Sequence, residues 1–339
     1  MKTNNIDTDY GFEETERYAE SEENGGLTGP DGYESLTEKI EWARGWVRQY
    51  MKESGKSQNI VSAELNISSS KLSQFLSDTY QAPQTVVPKV EELAALYEKK
   101  KTAPVRPGFA ETTVSRRTMQ AIEYAHLQGV VTVVYGDAGI GKTETFRRYL
   151  SQNSHAVGIT IIPTYSSIAG VNELLADELG VRGRAARKVT LEIIEKLRGS
   201  GRVIIVDEAQ HLTKKSLEHL RSISDLSGIG ICLIGNEEVY RRLMGSGRED
   251  FSQLFSRSTL KQEVYVKHIS RQDVRGVFEK MGVDEKCQDI LYTVCQTFYG
   301  LRGAVNVYIA TAAAYGEITP KGLAKVIKEF NIGGAAYGG

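Results

Sequence analysis

Three groups of residues in this chain have the types and spacing that phosphate chemistry needs. Gly136-Asp137-Ala138-Gly139-Ile140-Gly141-Lys142-Thr143 fits the pattern G-x-x-x-x-G-K-[ST] in full. In such a loop the glycines let backbone N–H groups close around phosphates at a helix N-terminus. The lysine reaches the β and γ phosphates, and the hydroxyl binds Mg²⁺. The second group is Asp207-Glu208, which ends the apolar run Val203–Val206. Here Asp207 would hold Mg²⁺ and Glu208 would polarise an attacking water; alone, such a pair also serves as a helix cap. The third group is more scattered. Asn236 follows a fourth apolar run, where it either orients the hydrolytic water or is a plain turn residue after Gly235. Arg257 and Arg302 carry a permanently charged fork suited to a transferring phosphoryl group, and equally suited to a surface salt bridge. Together the loop and the acidic pair imply ATP and Mg²⁺ as ligands, and hydrolysis as the reaction.

These groups need a sheet to hold them. Val130–Tyr135 is β-branched and bounded by glycines, which predicts a buried parallel strand leading into the phosphate loop. Gly158–Ile162, Val203–Val206 and Ile229–Ile234 predict three more strands, and Val264–Val266 a fifth. Helical patterns lie between them, so the expected core is α/β, with a parallel sheet covered on both faces. Beyond about Ser270 only helical patterns remain. Ahead of the core, Leu36, Ile40, Ala43, Val47, Tyr50 and Met51 mark one apolar helix face, and Gly55 ends it. The sequence therefore divides into an acidic tail (1–32), a helix-turn-helix domain (33–98) and a proline-bearing linker (99–112). An α/β P-loop core (113–268), a helical lid (269–331) and a flexible tail (332–339) follow.

Two places suit DNA. Gln58–Leu76 has helix-turn-helix spacing, with Val61, Leu65, Ile67, Leu72 and Phe75 apolar where two helices must pack. Ser62 is small at their crossing, Asn66 takes the turn position, and Ser68 caps the second helix. That helix would turn Ser69, Ser70, Lys71, Ser73 and Gln74 towards a groove, unless the unit is an interaction module or purely structural. Arg182, Arg184, Arg187 and Lys188 form a basic cluster between two core helices, and Lys214 and Lys215 form a smaller one. Each is either a phosphate contact or ordinary solvated surface.

Charge is unevenly distributed. Residues 1–34 hold ten acidic side chains against Lys2 and Arg17, so the remaining chain carries 40 basic and 33 acidic residues. That surplus permits a polyanionic partner without requiring one. The three cysteines, Cys232, Cys287 and Cys295, contain no C-x-x-C pair, which fits a reduced, cytoplasmic setting. No signal-peptide pattern follows Met1, and no apolar run approaches bilayer-spanning length, so no membrane association is expected.

Gly136–Glu144 (GDAGIGKTE), Val203–Leu212 (VIIVDEAQHL), Gly235–Tyr240 (GNEEVY) and Phe251–Arg257 (FSQLFSR), in this order of domains, resemble the AAA+ target-DNA activators of Mu-type phage transposition. The resemblance covers roughly residues 55–330. It implies ATP-dependent, largely nonspecific binding of double-stranded DNA, self-assembly into a helical filament or ring, and stimulation of a partner transposase. It also implies that Glu144 belongs to the nucleotide loop, Asn236 is the sensor-1 residue, Arg257 the finger reaching a neighbouring subunit, and Arg302 the sensor-2 residue. The Arg182–Lys188 cluster would then face DNA. Two other functions remain compatible with the residues: an ATP-gated helix-turn-helix regulator of transcription, and a nucleotide-binding loader. Glu208 disfavours a loader without turnover, because a switch that never hydrolyses has little need of it.

Overall fold

The computed structural model describes residues 35–183, 185–244 and 260–332. The acidic segment, Arg184, Arg257 and residues 333–339 lie outside them. The chain divides between Ala103 and Pro104 into two compact units.

The first unit is all-helical. Helix α1 (Leu36–Ser54) starts at a capping box between Ser35 and Glu38 and stops at Gly55, whose φ of 64° is left-handed. Helices α2 (Gln58–Glu64) and α3 (Ser69–Leu76) are joined by a tight turn. Asn66 between them has φ 51°, and the Ser68 hydroxyl accepts from Lys71 N at 3.1 Å, so the turn is fixed by a left-handed residue followed by a cap. Trp46, Val61, Leu65, Leu72, Phe75 and Val90 form the core. Helix α4 (Val87–Lys101) closes the unit. The charge run Lys99–Lys101, assigned to the linker by composition, is instead its last turn, where cations oppose the helix dipole.

The second unit holds a five-stranded, all-parallel sheet in the order β2-β3-β4-β1-β5. Its strands are β1 (Val131–Gly136), β2 (Ala156–Thr160), β3 (Val203–Asp207), β4 (Gly230–Gly235) and β5 (Leu260–Val264). Alternate residues feed two cores. Val133, Ile204, Val206, Ile231 and Leu233 face α7 (Ile168–Leu179), α8 (Ala186–Leu197) and α9 (Lys214–Ser227). Val134, Ile205, Cys232 and Ile234 share the other core with α5 (Thr113–Gln128) and α6 (Lys142–Gln152). A short α10 (Glu237–Met244) follows β4.

The lid helices α11 (Arg271–Phe278), α12 (Glu285–Cys295), α13 (Gly300–Tyr315) and α14 (Pro320–Glu329) extend this second core without a break. Phe278, Leu291, Val307 and Leu323 are fully buried there. Ile332 is also buried against this core, at 7 % exposure, so it does not belong to the flexible tail expected from residue 332. Two strands also fall earlier than expected. β2 ends at Thr160, beside Asp207, and Pro163 stops the chain from continuing. β5 ends at Val264, and Val266–His268 is a single 3₁₀ turn.

Candidate nucleotide site

Strands β3, β4 and β1 are neighbours in the sheet although far apart in sequence, so their carboxyl ends meet at one edge. Ligands of open α/β sheets bind at such an edge. Gly136 leaves β1 at φ 144°, and a Cβ there would lie 1.6 Å from the Val264 carbonyl oxygen. Only glycine fits between β1 and β5. Gly141, at φ 103°, then turns the chain into α6, whose first residue is Lys142. The loop therefore ends on an uncapped helix N-terminus, where free N–H groups and the dipole favour an anion.

Lys142 Nζ donates to the carbonyl oxygens of Gly136, at 3.1 Å, and Asp137. Burial lowers its pKa to about 8, against the opposing pull of Asp207, Glu208 and Asp137. Asp207, 2 % exposed, ends β3. Burial raises its pKa above the ordinary carboxylate value, and the Thr143 hydroxyl beside it works in the opposite direction. Its Oδ2 is buried with no hydrogen-bond partner among the described residues. An orphaned carboxylate oxygen next to a threonine hydroxyl is the donor set a magnesium ion takes, since that ion prefers one or two carboxylate oxygens and keeps waters and phosphates for the rest. The residues fit Mg²⁺–ATP.

Glu208 has a left-handed backbone, φ 55° and ψ 35°, which costs a non-glycine residue on the order of 1 kcal/mol or more. A 3₁₀ turn, Ala209–His211, holds it there, with His211 N donating to Glu208 O at 3.0 Å. The Glu208 carboxylate accepts from Gln210 Nε2. Gln210 was not singled out in the sequence; its one signal was a polar residue two places after the acidic pair.

Asn236 stands directly after β4 and is exposed, its Oδ1 accepting from Glu238 N at 2.9 Å as a cap on α10. Arg302 is exposed in the first turn of α13 and makes no ion pair among the described residues. Its charge reaches Lys142, whose pKa it helps to lower. The lid meets the phosphate loop through backbone: Arg302 N donates to Gly139 O at 2.8 Å. A Cβ on Gly139 would come 2.9 Å from Tyr299 O. Asp137 is tied away from the loop mouth, its Oδ2 accepting from Val266 N at 2.8 Å. The Glu144 side chain is exposed and pairs with Arg147 at 2.9 Å. Ile140 is buried in the core beneath the loop.

The basic residues gather at one end of three helices. Asn172 on α7 donates to Thr190 on α8 at 2.8 Å and pairs with the His219 ring of α9 at 2.7 Å. Each of these residues lies in the second turn of its helix. At the other end, Lys196 near the end of α8 donates to Leu179 O at the end of α7. The helices thus run side by side, with their positive N-termini together. Arg182, Arg187 and Lys188 are exposed at the start of α8, and Lys214 and Lys215 at the start of α9.

The AAA domain family matches residues 126–243, which span β1 to α10. "Mu-like prophage FluMu DNA transposition protein B" of Haemophilus influenzae is 30 % identical over 77 % of this chain and 93 % of its own length. The chain belongs to the Mu transposition protein B family. Within that family, the "ATP-dependent target DNA activator B" of Escherichia phage Mu is 30 % identical over 71 % of this chain and 78 % of its own. The protein of the same description from Escherichia phage D108 is 29 % identical over the same shares. Among solved structures, a Thermotoga maritima RuvB mutant aligns with 68 % of this chain and 74 % of its own. Its TM-score of 0.41 and 17 % identity are too distant for comparison residue by residue. No described helix is long and apolar enough to cross a membrane.

Proposed function

We propose that this protein hydrolyses ATP to control its grip on target DNA, and that it presents that DNA to a partner transposase. The supporting observation is one of placement. The phosphate loop, the Asp207 oxygen that has no partner among the described residues, and Glu208 lie at the carboxyl edge of the sheet; α7 and α9 follow β2 and β3 out of that edge, and the basic starts of α8 and α9 lie beside the start of α7. The names of the curated relatives, transposition protein B and ATP-dependent target DNA activator B, point the same way.

In this reading Gly136, Gly139, Gly141 and Lys142 hold the phosphates, and Thr143 and Asp207 hold Mg²⁺, which supplies charge neutralisation. Glu208 draws a proton from the attacking water as the new P–O bond forms and the bond from the γ-phosphorus to the bridging oxygen breaks, releasing ADP. Asn236 orients that water, Arg302 senses the phosphates from the lid, and Arg257 acts on ATP in a neighbouring subunit. Arg182, Arg184, Arg187 and Lys188 grip double-stranded DNA phosphates regardless of sequence as subunits assemble along the duplex.

The test separates binding from turnover. Lys142→Ala should abolish ATP-dependent binding to random duplex DNA, whereas Glu208→Gln should bind ATP and hold DNA in a long-lived complex visible by electron microscopy. Normal turnover by Glu208→Gln would sink the assignment. A second reading, a sequence-specific regulator, draws on the well-formed turn of α2 and α3; it requires one duplex sequence to be bound far more tightly than random DNA.

A further inference from the structure

We infer that Gln210 is a positioning residue for hydrolysis, clamping the Glu208 carboxylate to the tip of β4; this rests on the ATP-hydrolysis reading above. Three observations carry it. First, the Gln210 side chain is engaged at both ends. Its Nε2 donates to Glu208 Oε2, and its Oε1 accepts from the backbone N of Asn236 at 3.3 Å. Second, the amide is enclosed. Gln210 is 8 % exposed, and a Cβ on Gly235 would lie 2.5 Å from its Oε1, so it packs flat against the end of β4. Third, the turn that carries it begins at the left-handed Glu208, so backbone and side chain together restrict where that carboxylate points.

The chemistry needs both halves of the amide. A carboxylate that is to meet a water must have its orientation fixed, and an N–H donor on one oxygen leaves the other free to accept from that water. The carbonyl half satisfies an N–H that leaves the end of β4 unpaired. Because that N–H belongs to Asn236, any shift of the strand tip is carried to Glu208 through one rigid amide. A glutamine is the residue that can donate to a carboxylate and accept from an amide at once. A glutamate would repel Glu208, and a methionine of similar size would do neither.

The experiment compares single-turnover hydrolysis and binding of a nonhydrolysable ATP analogue in the full chain. Gln210→Met should lower the hydrolysis rate by roughly 10²-fold, while analogue affinity stays within about twofold. Gln210→Glu keeps the shape and the acceptor for Asn236, yet should lose at least as much. A residue with only a structural role would instead tolerate glutamate better than methionine. In a Glu208→Gln background, Gln210→Met should change the residual rate by less than about twofold, because the partner it positions is already gone. If that background loses as much as the wild type does, Gln210 acts on the fold at large and the inference fails. It fails too if either single variant hydrolyses normally. Should Gln210→Met not fold, Gln210→Glu alone decides. A wild-type rate equal to that of Glu208→Gln would overturn the hydrolysis reading and leave Gln210 nothing to position. A fast wild type with normal Gln210 variants would overturn this inference alone.

Discussion

At the carboxyl edge of the sheet, Asp207 Oδ2 is buried without a partner among the described residues, and Lys142 is partly stripped of water. In the N-terminal helical unit the polar side chains of α3 are either engaged by neighbours or open to water. Ser69 Oγ donates to Asn59 Oδ1 at 2.7 Å and Gln58 Nε2 donates to Ser69 O at 3.0 Å. Lys71 Nζ lies 3.3 Å from Thr85 Oγ1 and 4.8 Å from the centre of the Tyr80 ring. Ser70, Ser73 and Gln74 remain exposed. A buried carboxylate oxygen left unsatisfied is costly, so the Asp207 oxygen at the open sheet edge gains most from a ligand. Satisfied surface groups add little when a ligand arrives. The nucleotide site should therefore dominate function, and the helical unit should adjust it.

The largest loss of activity should come at Arg257. A finger supplied from a neighbouring subunit is worth about 10³–10⁵ in turnover. Arg257→Ala should bind ATP normally and hydrolyse it worse by that order. Mixed with Lys142→Ala, itself inactive, it should regain activity, because some interfaces then join an intact Lys142 site to an intact Arg257. Mixed assemblies that form without any recovery would place Arg257 within its own subunit.

The basic end of α7–α9 should set the response to salt. Replacing Arg182, Arg187 and Lys188 with alanine should weaken ATP-dependent DNA binding alike on every sequence. Each of these side chains that neutralises a phosphate should, on removal, flatten the slope of log affinity against log salt by about one. An unchanged slope would make these residues solvated surface.

Lys142 gives a smaller, pH-dependent test. Its pKa in the free protein is about 8, because burial outweighs Asp207, Glu208 and Asp137. Bound phosphates favour the ammonium and must raise that value. Below pH 8 the lysine is already charged and ATP affinity should be flat. Above it, binding must take up a proton, so Kd should rise towards tenfold per pH unit. Titrating analogue binding from pH 7 to 10 checks the sign; a flat profile would show that Lys142 keeps its charge throughout.

How far the sequence revealed these features depended on what holds each one. The loop and Asp207-Glu208 were readable because sheet strands need unbroken β-branched runs and the glycines have no substitutes, as the Val264 oxygen beside Gly136 illustrates. β5 begins before the apolar pattern shows it because it is an edge strand. Lys261 and Glu263 face outward, and only Val264 is buried, so no apolar run marks it. Gln210 carries little signal in sequence because its second partner comes from the end of β4 and is a backbone N–H. The lid's contact with Gly139 is hidden for the same reason.

The smallest effect should come from deleting residues 1–103. The second unit has its own two cores, so it should fold alone and retain the entire nucleotide site. What the deletion removes is the surface of α3, chiefly three neutral side chains. A neutral hydrogen bond contributes on the order of 0.5–1.5 kcal/mol, so one or two such bonds to DNA are worth about tenfold in affinity. ATP-dependent binding to random duplex should survive at that reduced level, and Ser70→Ala with Gln74→Ala in the full chain should cost only a few-fold. Fluorescence anisotropy at fixed salt measures both. If the deletion abolishes binding while the Arg182, Arg187 and Lys188 replacements change nothing, α3 carries the DNA contact. The regulator reading would then replace the one proposed here, because a reading helix that supplies all the affinity has no need of a basic face on the ATPase core.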